Sequence, residues 1–269
     1  MQDLIIGGTA AVVSRTLTAP LELYKIQAQN RYLKGSTMRN VVKKEGFRYL
    51  WKGNGVNCAR AFPQFAINYA LFEYSRENIA NNIVKNETMK NFIAGGLSGI
   101  GSMVCIYPLE TVRTRLSLQM CNSHYTTPYN ALKNIPIRQL YGGLGMSLLG
   151  FGPFSALNFS FFHLYKDLFT QLGMDSTSNK LLSGGLGAVS AVSITYPTDL
   201  IRKRLQMQGF DDSVPKYSGI IDCVRKLYNI GGYKELYRGL LPTYIRLFPC
   251  FAIQFWCLET GKQLTYIKI

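Results

Sequence analysis

The sequence predicts an all-α membrane protein: six transmembrane helices in three pseudo-symmetric repeats around a central water-filled cavity. Three observations carry this. First, one motif recurs at a fixed spacing. Pro20-Leu21-Glu22-Leu23-Tyr24-Lys25, Pro108-Leu109-Glu110-Thr111-Val112-Arg113 and Pro197-Thr198-Asp199-Leu200-Ile201-Arg202 begin 88 and then 89 positions apart. A period of that length marks one unit used three times, here about 1–87, 88–178 and 179–269 within one domain, 1–269. Second, residues 92–107 and 139–162 carry no charge. Third, every long helix still holds polar or ionisable positions. In lipid these are unfavourable by roughly 2.5–3.5 kcal/mol each at mid-helix, so they turn inward, towards water or one another.

Each helix is justified in order. The first covers about 3–30 and is apolar and small over 4–19 except for Arg15. The second opens at Gly53-Asn54-Gly55 and runs through Arg60, Pro63 and Asn68 to Glu73 and Arg76. The third runs from about Met89 to Met120, the fourth from Gly145 to Phe169, the fifth from Lys180 to Gln208 and the sixth from Pro242 to Leu264. About 25–30 residues at 1.5 Å each span a ~30 Å hydrocarbon layer even when tilted. Shorter segments at 37–44, 129–134 and 220–229 lie between odd and even helices. The first and third are amphipathic and basic, as an interfacial helix is. The pairs Gly7-Gly8, Gly95-Gly96 and Gly184-Gly185 suit close helix contact in a bilayer. A proline near the middle of a long helix is expected to kink it. After each odd-helix proline, acid and base three apart share a face, so three such helices bring three acids and three bases into a ring.

Charge narrows the partner. Thirty Lys+Arg against 15 Asp+Glu give a net charge of +15 and a pI near 9.6, which points to an anion: nucleic acid, acidic lipid or a phosphorylated solute. A soluble helical-repeat protein on RNA needs polar outer faces, and the uncharged runs count against it. The six cysteines are scattered without a CxxC pair, and His124 and His163 are the two histidines. No structural zinc, other metal, cofactor or disulfide framework is therefore expected. The sequon Asn86-Glu87-Thr88 is a weak match. No cleavable signal and no N-terminal regulatory domain are expected. Nothing resembles a nucleophile–base set or a P-loop, which argues against an enzyme.

These residues resemble the mitochondrial carrier family over the whole chain. The family's Px[DE]xx[KR] motif stands three times. Its second element appears as Glu45-Gly46…Trp51-Lys52-Gly53 and Gly231-Gly232…Tyr237-Arg238-Gly239, with a degraded middle copy, Ile135-Pro136…Tyr141-Gly142-Gly143. Its third, aromatic-[DE]xx[KR], reads Phe72-Glu73-Tyr74-Ser75-Arg76, then Phe162-His163-Leu164-Tyr165-Lys166, then Leu258-Glu259-Thr260-Gly261-Lys262. The resemblance implies a multi-pass carrier of the mitochondrial inner membrane, or of a mitochondrion-related organelle. It implies a matrix gate pairing Glu22 with Arg113, Glu110 with Arg202 and Asp199 with Lys25. Gln29 and Gln206 stand at the bracing positions, and Ser117 replaces the third glutamine. It implies a cytoplasmic gate pairing Glu73 with Lys166 and Arg76 with Glu259. There Lys262 faces His163, which is no anion, so this side is expected to close with two ion pairs.

The resemblance also places substrate contacts on the even helices, at Arg60-Ala61, Gly150-Phe151 and Arg246-Leu247, with Arg15 on the first helix. Three guanidiniums around one cavity favour a multiply anionic ligand. Gly150 beside Phe151 suits a flat adenine ring, and the equivalent amides Asn68, Asn158 and Gln254 suit hydrogen bonds to base, ribose or phosphate. The stretches 14–20 and 53–60 look like the branch that carries adenine nucleotides, ATP-Mg/phosphate or coenzyme A, and no calcium-binding extension is expected. The implied function is alternating-access exchange of adenine nucleotides. Coenzyme A, ATP-Mg/phosphate or another small anion is the alternative cargo. The implied partners are that anion and membrane lipid, cardiolipin among it, with no nucleic acid and the monomer as the working unit.

Overall fold

The structure, a computed structural model, describes the backbone of residues 2–30, 42–43, 45–84, 86–119, 125–210 and 214–266. It describes the side chains of the same residues apart from 2–7, 80–81, 88, 254–256 and 258–266. The segment expected at 37–44 falls largely outside these, as do His124 and Cys121.

The described chain is helical and forms six long limbs. Limb 1 is α1 (Gln2–Leu17) and α2 (Ala19–Gln29). Limb 2 is α3 (Asn54–Ala59), α4 (Ala61–Ser75) and a π-helical turn, Arg76–Ala80. Limb 3 is α5 (Glu87–Leu118). Two short helices follow, α6 (Pro128–Asn134) and α7 (Ile137–Leu140). Limb 4 is α8 (Leu144–Gln171), and limb 5 is α9 (Ser176–Met207). Then come α10 (Ile220–Leu236) and limb 6, α11 (Leu240–Tyr266).

Local chemistry sets these bounds. Asp175 accepts the Ser178 N–H at 2.9 Å and starts α9, and Thr127 accepts the Asn130 N–H at 3.1 Å and starts α6. At the start of α10, hydrogen bonds from Lys226 and from the Ser218 N–H hold the Asp222 carboxyl below the usual carboxylate range. The prolines fall in two settings. Limb 1 breaks at Thr18 beside Pro20, and limb 2 breaks at Arg60, three residues before Pro63. Pro108, Pro153, Pro197 and Pro249 sit inside unbroken helices.

The limbs close into a ring. Each packs on its neighbours in chain order, from limb 1 on limb 2 round to limb 6 on limb 1. The odd limbs also meet one another through α2, α5 and α9. Buried apolar clusters gather at that meeting end. One joins Tyr196, Leu200, Ile201 and Leu205 to Tyr217, Cys223 and Leu227, and another joins Ile26 and Leu118 to Met207, Phe210 and Val214. Along the limbs, large apolar side chains face outward: Phe92 is 77 % exposed, Phe159 66 % and Leu149 65 %. Among the described residues, two helical stretches, Met89–Leu118 and Ile137–Gln171, are long and apolar enough to cross a membrane, and Leu240–Ile253 is a shorter apolar one.

Close helix contact uses some of the expected glycines and some others: a Cβ on Gly8 would meet the Phe62 ring at 2.5 Å and one on Gly185 the Phe248 ring at 3.7 Å. Gly95, Gly96 and Gly184 face open space, whereas a Cβ on Gly99 would meet Phe151 at 2.7 Å and one on Gly187 the Phe162 backbone at 3.0 Å. A threefold feature sits at the even-limb entrances. Gly53, Gly143 and Gly239 have φ of +82, +82 and +86°, and each abuts an odd limb of another repeat. Gly53 lies on Arg113 and Ser117, Gly143 on Arg202 and Leu205, and Gly239 on Tyr196 and Gln29. Left-handed backbone and close approach together demand glycine. Gly143→Ala, whose Cβ would stand 2.8 Å from the Arg202 carbonyl, is expected to lower Tm in detergent by about 5 °C or more. Gly96→Ala, with nothing within 4 Å, is expected to leave Tm unchanged or raise it.

Candidate functional site

Where the odd limbs meet, Glu22, Glu110 and Asp199 converge with their bases. The Lys25 amine lies 2.8 Å from Asp199 Oδ2, Arg113 lies 3.4 Å from Glu22, and Arg202 pairs with Glu110. Each pair ties one repeat to another: limb 1 to 5, limb 3 to 1, limb 5 to 3. The carboxylates of Glu22 and Glu110 keep 15 % and 13 % exposure, so little water screens them. Gln29 donates to Asp199 Oδ2 at 3.2 Å and to the Tyr196 hydroxyl at 3.2 Å, under the first pair as the bracing position implies. Gln206 does not reach the Glu110–Arg202 pair; its Oε1 accepts from Lys203 and Thr114. Ser117 turns to the carbonyls of Arg113 and Lys52.

Three further cations crowd the acids, and sequence reasoning did not place them there. Arg246 lies 2.7 Å from Glu22, Arg60 lies 3.5 Å from Glu110, and the Lys203 amine lies 3.1 Å from Glu110 Oε1. Arg60 and Arg246, expected as free substrate contacts, are thus held by the gate acids. A limb break at Arg60 aims one inward, and the long guanidinium arm carries the other. The one signal for Lys203 was a lysine in the third motif copy where the others have Ile26 and Thr114.

Above the ring lies a two-lobed cavity. The polar lobe, about 310 Å³, is lined by six cations against three carboxylates: Arg15, Lys25, Arg60, Arg113, Lys203 and Arg246 with Glu22, Glu110 and Asp199. Of these six, Arg15 pairs with no carboxylate among the described residues; it donates to the Asn57 carbonyl at 2.7 Å. The Nε atoms of Arg60, Arg202 and Arg246 are buried without a hydrogen-bond partner. The apolar lobe, about 250 Å³, adjoins at Lys25, Asp199 and Arg246 and is lined by Gly150, Phe151, Phe154, Met103 and Met146. The expected amides are not gathered here. Asn68 donates to Ser102 at 3.2 Å, and the Gln254 side chain lies outside the described residues. Neither Asn68 nor Asn158 lines either lobe.

At the opposite end, the expected pairs are not seen among the described residues. Glu73 and Lys166 form no ion pair among the described residues. Arg76 pairs instead with Glu87 at 3.3 Å, and Glu87 also holds Lys90 at 2.8 Å. His163 sits edge-on against Phe159 at 4.3 Å. The side chains of Glu259 and Lys262 lie outside the described residues. Among the described residues, the buried apolar clusters lie at the other end.

A ring of helical limbs, shut at one end by charge pairs between repeats and lined within by cations, is the build of a solute carrier. The profile of the mitochondrial carrier protein family matches the chain three times, at residues 1–82, 84–173 and 174–268. The chain belongs to that family and is a transport protein of the mitochondrial inner membrane. Among its relatives, solute carrier family 25 member 16 of Homo sapiens is 32 % identical over all of this chain and 89 % of its own length. The mitochondrial adenine nucleotide transporter ADNT1 of Arabidopsis thaliana is 31 % identical over 99 % of the chain and 88 % of its own length. The mitochondrial adenyl nucleotide antiporter SLC25A24 of Mus musculus is 29 % identical over 97 % of the chain, which spans 58 % of that protein.

Each gate pair is testable by exchange of its charges. Lys25→Asp and Asp199→Lys are each expected to lower Tm by about 10 °C, since either leaves a poorly solvated charge unpaired. The double variant is expected to recover most of the loss.

Proposed function

We propose that this protein exchanges adenine nucleotides across the mitochondrial inner membrane by alternating access. The observation that carries the reading is the two-lobed cavity. A cation-rich lobe offers guanidinium donors to phosphate oxygens, as bidentate recognition requires, and the adjoining lobe sets Phe151 and Phe154 where a purine can pack. The names of ADNT1 and SLC25A24 point to the same cargo.

In this reading all six limbs cross the bilayer, the whole chain is one carrier domain of three repeats, and lipid covers the outward apolar side chains. The assembled charge ring is the matrix gate, closed, and the parted end faces the cytoplasmic side. Substrate entering from that side meets Arg15 first without having to displace a carboxylate. It then draws Arg60 and Arg246 from the acids they hold. The loss of gate contacts is offset by contacts to the phosphates, so the right anion shifts the equilibrium towards opening. His163 leaves the cytoplasmic gate one acid short, so that side closes less tightly. Cardiolipin suits the groove of about 480 Å³ between Gly142 and Tyr217, Ser218 and Gly219, where Arg138 and Lys216 supply positive charge. The carrier works as a monomer, because the ring is closed within one chain.

Proteoliposomes loaded with ATP, ADP, AMP, coenzyme A or phosphate test the cargo. Counter-exchange is expected with the adenine nucleotides; transport confined to coenzyme A or phosphate replaces this reading with that cargo. Arg15→Ala is expected to raise the KM for ATP about tenfold or more, the effect of one lost charge-assisted contact. His163→Asp, which restores an acid opposite Lys262, is expected to slow exchange and favour the state closed on the cytoplasmic side. Sided thiol labelling reports that shift, and an unchanged rate and labelling pattern discards the weak-gate account.

A further inference from the structure

Position 203 breaks the threefold pattern. After the motif base stand Ile26, Thr114 and Lys203 in the three repeats. Lys203 is 4 % exposed. An ammonium has three N–H donors, and here they meet three acceptors: Glu110 Oε1 at 3.1 Å, Gln206 Oε1 at 3.1 Å and Thr114 Oγ1 at 3.3 Å. Two acceptors, Glu110 and Thr114, belong to α5, while Lys203 and Gln206 belong to α9. The amine is saturated inside the gate.

Gln206 is turned to suit. Gln29 donates its amide to Asp199, whereas Gln206 offers its oxygen to Lys203 and leaves its Nε2 buried without a partner. The three joints therefore differ. Limb 1 to limb 5 has one pair, Lys25–Asp199, and one amide donor. Limb 1 to limb 3 has Glu22–Arg113 and no amide, because Ser117 bonds the carbonyls of Arg113 and Lys52. Limb 3 to limb 5 sets two α9 cations on one carboxylate, with Gln206 and Thr114 around the second.

We propose that Lys203 is a positioning residue that bolts α5 to α9 and makes the gate asymmetric. The joint between limbs 3 and 5 is the last to part, and opening begins where Glu22 meets Arg113. This rests on the gate reading above. Lys203 holds the closed state; it does not read the substrate.

Thermal unfolding of the purified full chain tests the bolt without any nucleotide. Glu110→Gln strands Lys203 in the interior and is expected to lower Tm by about 10 °C. Adding Lys203→Met to that variant is expected to recover about half of the loss, because the stranded charge is removed. In the Asp199→Asn background it is expected to recover nothing. An equal drop on Lys203→Met in every background overturns the proposal. Where the Glu110→Gln protein does not fold, the transport arm decides. Lys203→Met is expected to raise uptake into vesicles lacking internal counter-substrate about tenfold, with the ATP-to-AMP ratio of KM unchanged. Unchanged uptake, or a tenfold rise of that ratio, overturns the proposal; the latter makes Lys203 a phosphate ligand. Failure of every adenine nucleotide to exchange sinks the proposed cargo and leaves the unfolding result standing.

Discussion

The fold depends on opposite charges meeting where water is scarce. Glu22, Glu110 and Asp199 each bind a base from a different repeat, at an effective dielectric far below that of water. One contact at 4 Å is worth about 4 kcal/mol at a dielectric of 20 and about 1 kcal/mol in bulk water. Removing both charges from water opposes that gain, so the ring is useful for being breakable. It is firm enough to hold three limbs together, yet weak enough for an incoming anion to compete. An aliphatic seal at the same place is indifferent to what enters the cavity.

The cations outnumber the acids in the polar lobe, and this gives the site its sign. A neutral ring would hold the limbs equally well and attract nothing. Here Arg15 stands apart from the carboxylates, while Arg60 and Arg246 line the lobe and hold gate acids at once. In the proposed function binding and opening are coupled through those same side chains, with no relay between distant sites. In that proposal the apolar lobe supplies the second half of recognition, because charge alone does not separate a nucleotide from inorganic phosphate.

Much of this was legible in the residues. The repeat of Pro20, Pro108 and Pro197 gave the three units, and acid and base three apart gave the ring, with all three pairs as expected. The helix limits lay within a few residues of those read from charge and hydropathy. What escaped reading was long-range. Arg60 and Arg246 are set by limb geometry and side-chain reach, which no local pattern encodes. Asn68 and Asn158 looked equivalent by register, yet neither lines the cavity, and Asn68 is engaged by its neighbouring odd limb at Ser102. Arg76, assigned across the ring to Glu259, pairs with Glu87, eleven positions on, while the Glu259 side chain lies outside the described residues.

The glycine turns at 53, 143 and 239 carry a consequence for how the repeats join. Each turn seats its limb on a helix of the next repeat, and the third seats back on the first. The middle copy has exchanged its basic residue for Gly142 and kept the turn, so the hand-over is made by backbone and tolerates drift in side chains. The three elbows therefore close the circle head to tail, and losing any one of them opens the seam between two repeats.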